Sequence, residues 1–449
     1  MVRTGRTGVR VGPTSRRARP TPVMMGAVPT EPDDAELELI RRSGVVLRVG
    51  RLSLSAGTGS YRVKASMGRI AHALGIERHH AHVTLTEITT TSHRGRTFRT
   101  EVTEVRTVGV NTDRLAELEL LAQRVEARAP VTVEDVGAEI DRITAKPPLY
   151  PVALNALWAA IACAAFAFLN NGGPVEVIGA FLGAFLGQGL RRIMLHRGFN
   201  QFGVTMLAGA LSSLGYLGFV QALHALGVTG PVHEAGYVAA ALFLVPGFPL
   251  VTGALDLAKL DFSAGVARLT WALMIFVSAA FAVWVVSIAV GLSPDPPVAL
   301  TLDPALMTTL RLVASFVGVL GFALMFNSPW RMALAAASVA AVPNLLRIEA
   351  VLLLDWPPQA AAAIAAFLVG LGAAWVAPRL NIPRITVYVP AVTIMVPGVP
   401  AYRAMYYLNN GDVTQALTYG VSAALVVTAL AVGLAVARMV TDREWGFEH

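Results

Sequence analysis

Two short runs in this chain place helix-breaking residues inside long apolar stretches. Val245-Pro246-Gly247-Phe248-Pro249 recurs as Val396-Pro397-Gly398-Val399-Pro400, at an offset of 151 residues. A proline within a helix removes one backbone hydrogen bond and obstructs another, and a glycine beside it lets the chain turn. Helices broken in this way leave amides and carbonyls bare, and those groups can hold a polar solute without water. We therefore take Pro246, Gly247 and Pro249, with Pro397, Gly398 and Pro400, as a binding framework. Thr252 and Asp256 follow the first run; Tyr402 and Arg403 follow the second. The Arg403 guanidinium can pair with a solute carboxylate. Asp256, or Asp261 beyond it, can take an ammonium group or carry a proton, since charge within an apolar span usually faces a polar cavity.

Other reactive side chains carry less. His79, His80 and His82 form a cluster, and on a strand His80 and His82 would share a face that Glu87 or His93 could complete as a metal set. No CxxC or HExxH spacing supports that reading, so a polar loop entering a strand is expected, with no metal and no cofactor. No GxxxxGK[ST] run occurs, which argues against a P-loop nucleotide site. The single cysteine, Cys163, excludes an intramolecular disulfide and reads as a small buried hydrophobe.

The elements that position these residues follow from composition. The chain has 449 residues, 55% hydrophobic and 14% charged, where a soluble domain carries about 25% charged residues. Most of the charge lies in residues 1–146; the remainder is a series of apolar runs with short polar breaks. Two parts in two solvents are implied. The net charge of +7 does not point to nucleic acid, because the basic residues occupy an N-terminal tail and the ends of apolar runs. Residues 1–35, rich in arginine, proline and glycine, read as a disordered tail without the apolar core of a signal peptide.

Residues 36–146 read as a small α+β domain. Helices are expected over 34–42, 60–74, 111–128 and 133–143, with a β-hairpin over 82–106 that turns at Ser92-His93-Arg94-Gly95. Ten apolar runs follow, near 152–170, 174–190, 202–223, 236–255 and 266–292, then 305–326, 330–346, 360–377, 386–407 and 415–438. Each is long enough to cross a bilayer core of about 30 Å as a helix. The fold class is thus mainly α, a polytopic membrane protein of ten spans behind a soluble domain. Two membrane halves, 147–292 and 293–449, are expected. At the offset of 151, Leu257 falls on Leu408 and Asp261 on Asp412. Five spans per half make the halves insert in opposite senses, an inverted repeat common among secondary transporters. With the soluble domain in the cytoplasm, Arg191, Arg192, Arg197, Lys259, Arg331, Arg379 and Arg384 lie on the cytoplasmic side, and Arg347 alone on the other. That bias places both termini in the cytoplasm. Gly179, Gly183 and Gly187 form a small-residue face for close helix packing. Arg268 is expected to anchor its span or pair with Asp261, and Arg311 to be structural.

On these residues the chain resembles the threonine/serine exporter (ThrE) family over about residues 40–440. The resemblance rests on Tyr61 to Gly75, the strand at His82, Asn111 to Leu118 and Ile143 to Tyr150. It rests above all on Val245-Pro246-Gly247 through Asp256, followed by Asp261, Ser263, Gly265 and Arg268, with Val396-Pro397-Gly398 as counterpart. It implies ten spans in the cell inner membrane, export of small amino acids such as threonine and serine, and coupling to the proton motive force. A homo-oligomer is compatible with it. The alternatives are export of small carboxylates such as dicarboxylic acids, and a membrane-bound enzyme using the N-domain histidines.

Overall fold

A computed structural model describes residues 34–106, 108–128, 131–228, 236–291, 300, 302–442 and 445. The basic tail expected over 1–35 lies outside them except for its last two positions, which begin the first helix. The N-terminal part runs α1 (Asp34–Ser55), α2 (Ser60–Ala73), β1 (Arg78–Val83), β2 (Glu87–Arg94), β3 (Thr97–Glu104), α3 (Thr112–Ala127) and α4 (Val133–Ala145). Asn111 Oδ1 caps α3 by accepting from Arg114 N at 3.1 Å, and Thr132 Oγ1 caps α4 by accepting from Asp135 N at 3.1 Å. Two sequence expectations are corrected. The first helix does not stop near Arg42, because Val45, Val46, Val49 and Leu54 extend its buried stripe. The hairpin is the second half of a three-stranded antiparallel meander, since β1 pairs with β2 before β2 pairs with β3.

Strand alternation also separates the histidines. His79 turns inward, with Nδ1 3.0 Å from Ser92 Oγ, while His80 and His82 are exposed on the other face. Among the described residues no three His, Cys, Asp or Glu side chains group as a metal site. Burial, helped by the neighbouring His80, pushes the His79 pKa down to about 4 from 6.5. The unfolded chain therefore binds more protons than the folded one between those values. The stability held by neutral His79 is complete above pH 6.5 and lost on acidification towards pH 4. The melting temperature of the full chain should fall between pH 7 and pH 5 by an amount equivalent to on the order of 1 kcal/mol from this group. His79→Gln should flatten that fall, and an unchanged slope would refute the assignment.

The C-terminal part begins with α5 (Val152–Leu169), α6 (Pro174–His196), α7 (Gln201–Ala225), α8 (Tyr237–Ala240), α9 (Gly247–Ala258) and α10 (Phe262–Val290). It continues with α11 (Pro304–Met325), α12 (Trp330–Leu353), α13 (Pro358–Leu380), α14 (Ile385–Thr393), α15 (Gly398–Asn409) and α16 (Val413–Thr441). Among the described residues eight helices are long and apolar enough to cross a membrane, or nine if the pair α14 and α15, bent by 48°, is counted as one span. The run expected over 236–255 is not one helix but α8, a 3-10 turn at Leu242–Leu244, and α9. The run near 330–346, for which the sequence also allows a continuation past Pro343-Asn344 to Leu354, does continue to Leu353, and the run expected to stop at 190 continues to His196. A single proline costs one helical hydrogen bond, which a long packed helix absorbs. The Gly179 face does bring α6 onto α7: a Cβ on Gly179 would lie 2.7 Å from the Tyr216 ring.

The two breaks are the same structure. Pro246 has φ −80° and ψ 57°, and Pro397 has φ −79° and ψ 64°. Gly247 N donates to Val245 O at 2.8 Å, and Gly398 N donates to Val396 O at 2.8 Å. Both are inverse γ-turns, which end one helical piece and start the next. Left-handed residues recur too, Asn171 and Asn327 after α5 and α11, and Leu260 and Gly411 after α9 and α15. Contacts across the halves are reciprocal. A Cβ on Gly247 would lie 2.8 Å from Thr393 Cγ2, and one on Gly398 would lie 2.6 Å from Leu242 Cδ2. Thr393 and Leu242 stand at the same offset of 151 as the two glycines. Likewise α9 packs on α16 as α15 packs on α10, the pattern of a twofold relation.

The N-terminal part seats on one end of the helices. Thr112 N donates to Phe326 O at 3.0 Å, Asn327 Nδ2 donates to Asn111 Oδ1 at 2.9 Å, and Tyr150 OH donates to Ser328 O at 2.8 Å.

Candidate functional site: twin cavities at the helix breaks

Each γ-turn borders a cavity. The domain-side cavity, of about 150 Å3, is lined by Pro246, Gly247 and Pro249, with Gln188, Arg191 and Arg268 supplying polar wall. Gly57 and Val108-Gly109-Val110 of the soluble domain complete it. The far-side cavity, of about 350 Å3, is lined by Pro397, Gly398 and Pro400, with Glu176, Arg347 and Arg403. The two are counterparts. Trp271 and Ile275 of the first occupy the places that Ser422 and Val426 hold in the second, at the offset of 151. Arg191 and Leu195 on α6 match Arg347 and Val351 on α12, at an offset of 156. A larger recess of about 570 Å3 between α10 and α16 has almost wholly apolar walls and exposed flanks such as Leu273 and Leu417. It is suited to lipid tails and not to a polar solute.

The framework prolines and glycines are thus brought to cavity walls, and Arg403 joins them with its guanidinium 5.7 Å from the Tyr419 ring. The remaining candidates are not at either wall. Thr252 Oγ1 is turned back on its own helix, donating to Phe248 O at 3.0 Å. Tyr402 OH lies 3.1 Å from Tyr237 OH, a link between α15 and α8. Asp256 is fully buried beneath the soluble domain. Its Oδ2 lies 3.4 Å from Arg268 Nε, and Arg268 Nη2 donates to Thr58 O at 3.1 Å. A Cβ on Gly59, the residue before α2, would lie 2.9 Å from Asp256 Oδ1. The carboxylate therefore stands at the start of a helix that has no side-chain cap of its own, where a negative charge is favoured. Asp261 pairs with Lys64. The expected pairing of Arg268 with Asp261 is corrected, because the turn after α9 carries Asp261 outward to α2 and leaves Arg268 facing Asp256. Arg311 is structural, with Nη1 3.0 Å from Glu349 Oε1.

Sequence reasoning treated Arg191 and Arg347 only as topology markers and did not single out Glu176. One signal could have found the arginines. Gln188 precedes Arg191 as Asn344 precedes Arg347, three residues earlier in each case. The offset differs from that of the prolines because the connections between helices differ in length.

Comparison with known proteins agrees with this architecture. No solved structure matches. The threonine/serine exporter of Corynebacterium glutamicum is 25% identical over 414 residues, covering 88% of this chain and 81% of that protein. A protein of Klebsiella aerogenes named "Probable succinate transporter subunit YjjP" is 27% identical over 236 residues, covering 52% of this chain and 87% of that protein. Its namesake in Escherichia coli is 26% identical over 241 residues, covering 54% of this chain and 90% of that protein. The family model ThrE, for threonine/serine exporters, matches residues 44–290, and ThrE_2, described as "Threonine/Serine exporter, ThrE", matches 311–440. With a helix break and a cavity in each matched half, the chain belongs to the threonine/serine exporter family of polytopic membrane transporters.

Proposed function

We propose that this chain exports small amino acids such as threonine and serine by alternating access. The observation that carries the reading is the pair of counterpart cavities, one bordering each γ-turn, the first lined by Arg191 and Leu195 near the end of α6 and the second by Glu176 at its start. The halves insert in opposite senses, so exchanging their conformations exchanges which cavity is open. The positive-inside bias puts the soluble domain in the cytoplasm. Coupling to protons fits the placement of Asp256, which holds Arg268 of the domain-side cavity wall, and of Asp261, which holds Lys64 of the soluble domain. A proton on Asp256 removes the charge that holds Arg268 and the start of α2, which loosens the domain from the cavity that it covers.

Export of a small dicarboxylate is the second reading, favoured by the arginines and by the relatives named for succinate. Glu176 in the far-side cavity favours an ammonium-bearing solute instead. The deciding experiment loads cells with a threonine-containing dipeptide and follows threonine in the medium, with and without an uncoupler. Cells making the chain should release threonine several-fold faster than cells lacking it, and the uncoupler should remove the difference. Equal release in both, or release of succinate alone, would overturn the reading.

A further inference from the structure

Among the described residues, three guanidiniums of the helical part are paired with an acid: Arg268 with Asp256, Arg311 with Glu349 and Arg438 with Asp442. Arg191 and Arg347 have only carboxamides. Arg347 Nε donates to Asn344 Oδ1 at 3.1 Å, and Arg191 Nη1 donates to Gln188 Oε1 at 3.4 Å. Each carboxamide is held in turn by the first helix of its own half. Gln188 Nε2 donates to Asn155 Oδ1 on α5 at 2.8 Å, and Asn344 Nδ2 donates to Ser315 Oγ on α11 at 2.8 Å. The same three-part arrangement is therefore built twice, once at each cavity.

A carboxamide orients a guanidinium but cannot neutralise it. A guanidinium at membrane depth without a counter-charge is costly and is usually found where a counter-charge arrives. Topology explains Arg191 but not Arg347, which the positive-inside assignment leaves on the far side. Resting on the export reading above, we propose that Arg191 and Arg347 are a duplicated carboxylate-binding pair. Arg191 receives the carboxylate of the solute from the domain-side cavity, and Arg347 holds it in the far-side cavity before release. The ligand class is a small carboxylate whose two oxygens meet the guanidinium fork. In the far-side cavity Glu176 suits the ammonium of an α-amino acid.

The test uses the full chain in inverted and in right-side-out membrane vesicles, which present opposite faces. Threonine exchange is measured alongside inhibition by threoninol, the amino alcohol that lacks the carboxylate. Arg191→Gln should raise the KM for threonine about ten- to hundredfold at the domain-side face only, the loss expected for a charge-assisted hydrogen bond, and leave threoninol inhibition unchanged. Arg347→Gln should do the same at the other face. Arg→Lys variants, which keep the charge and lose the fork, should recover part of the preference for threonine and decide the matter if a glutamine variant does not fold. An intact preference for threonine at both faces, or equal losses for both solutes at both faces, would overturn the pair. A wild-type chain that exchanges no threonine would instead overturn the export reading itself.

Discussion

Asp256→Ala is expected to destabilise the folded chain by about 3–5 kcal/mol, the cost of leaving one member of a buried ion pair alone. Arg268 is only 2% exposed, and its remaining partner, Thr58 O, carries no charge. The start of α2 would also lose the anion at its N-terminus, a further contribution of about 0.3–1 kcal/mol. Thermal unfolding in detergent measures the loss. Asp256→Ala combined with Arg268→Met should recover most of it, because removing both charges leaves none uncompensated. A double variant no more stable than the single one would show that the pair is not the source. Asp256→Asn keeps the shape and removes the titration, so export through it should lose its uncoupler sensitivity. Sensitivity retained in that variant would move the proton site elsewhere.

Gly321→Val is the second large effect expected. A Cβ at this position on α11 would lie 2.8 Å from Trp158 O and 2.9 Å from Ala162 N. Both are backbone atoms of α5, so no side-chain rotation relieves the clash. The helices that head the two halves must separate, at a cost at or above the upper end of the roughly 1–3 kcal/mol of an overpacked core. Small residues are what let membrane helices approach this closely. Gly218→Val is the control, since nothing lies within 4 Å of its added Cβ. The first variant should melt earlier than the wild type by an amount equivalent to about 3 kcal/mol or more; the second should match the wild type. Equal behaviour would mean that α5 and α11 are not packed at Gly321.

Much of this architecture was legible from local chemistry. Proline and glycine state their effect at their own positions, so the breaks at Pro246 and Pro397 could be read directly, as could the cap at Asn111 and the Gly179 face. The misread segments are those where neighbours far along the chain decide. The first helix passes Arg42 because Val46 and Val49 meet the domain core. Strand β1 is fixed by its pairing with β2, a partner that its own short sequence does not announce.

The candidate site divides along the same line. By itself the sequence determined most of the apolar crossings, where the proline-glycine runs break the helices, and that the break occurs twice. Each of these follows from the conformational limits of residues adjacent in the chain. Only the tertiary structure decided which charges meet: Arg268 with Asp256 and not Asp261, and Arg191 and Arg347 with carboxamides alone. Ion pairing depends on distances between helices far apart in sequence, and no local pattern encodes those distances.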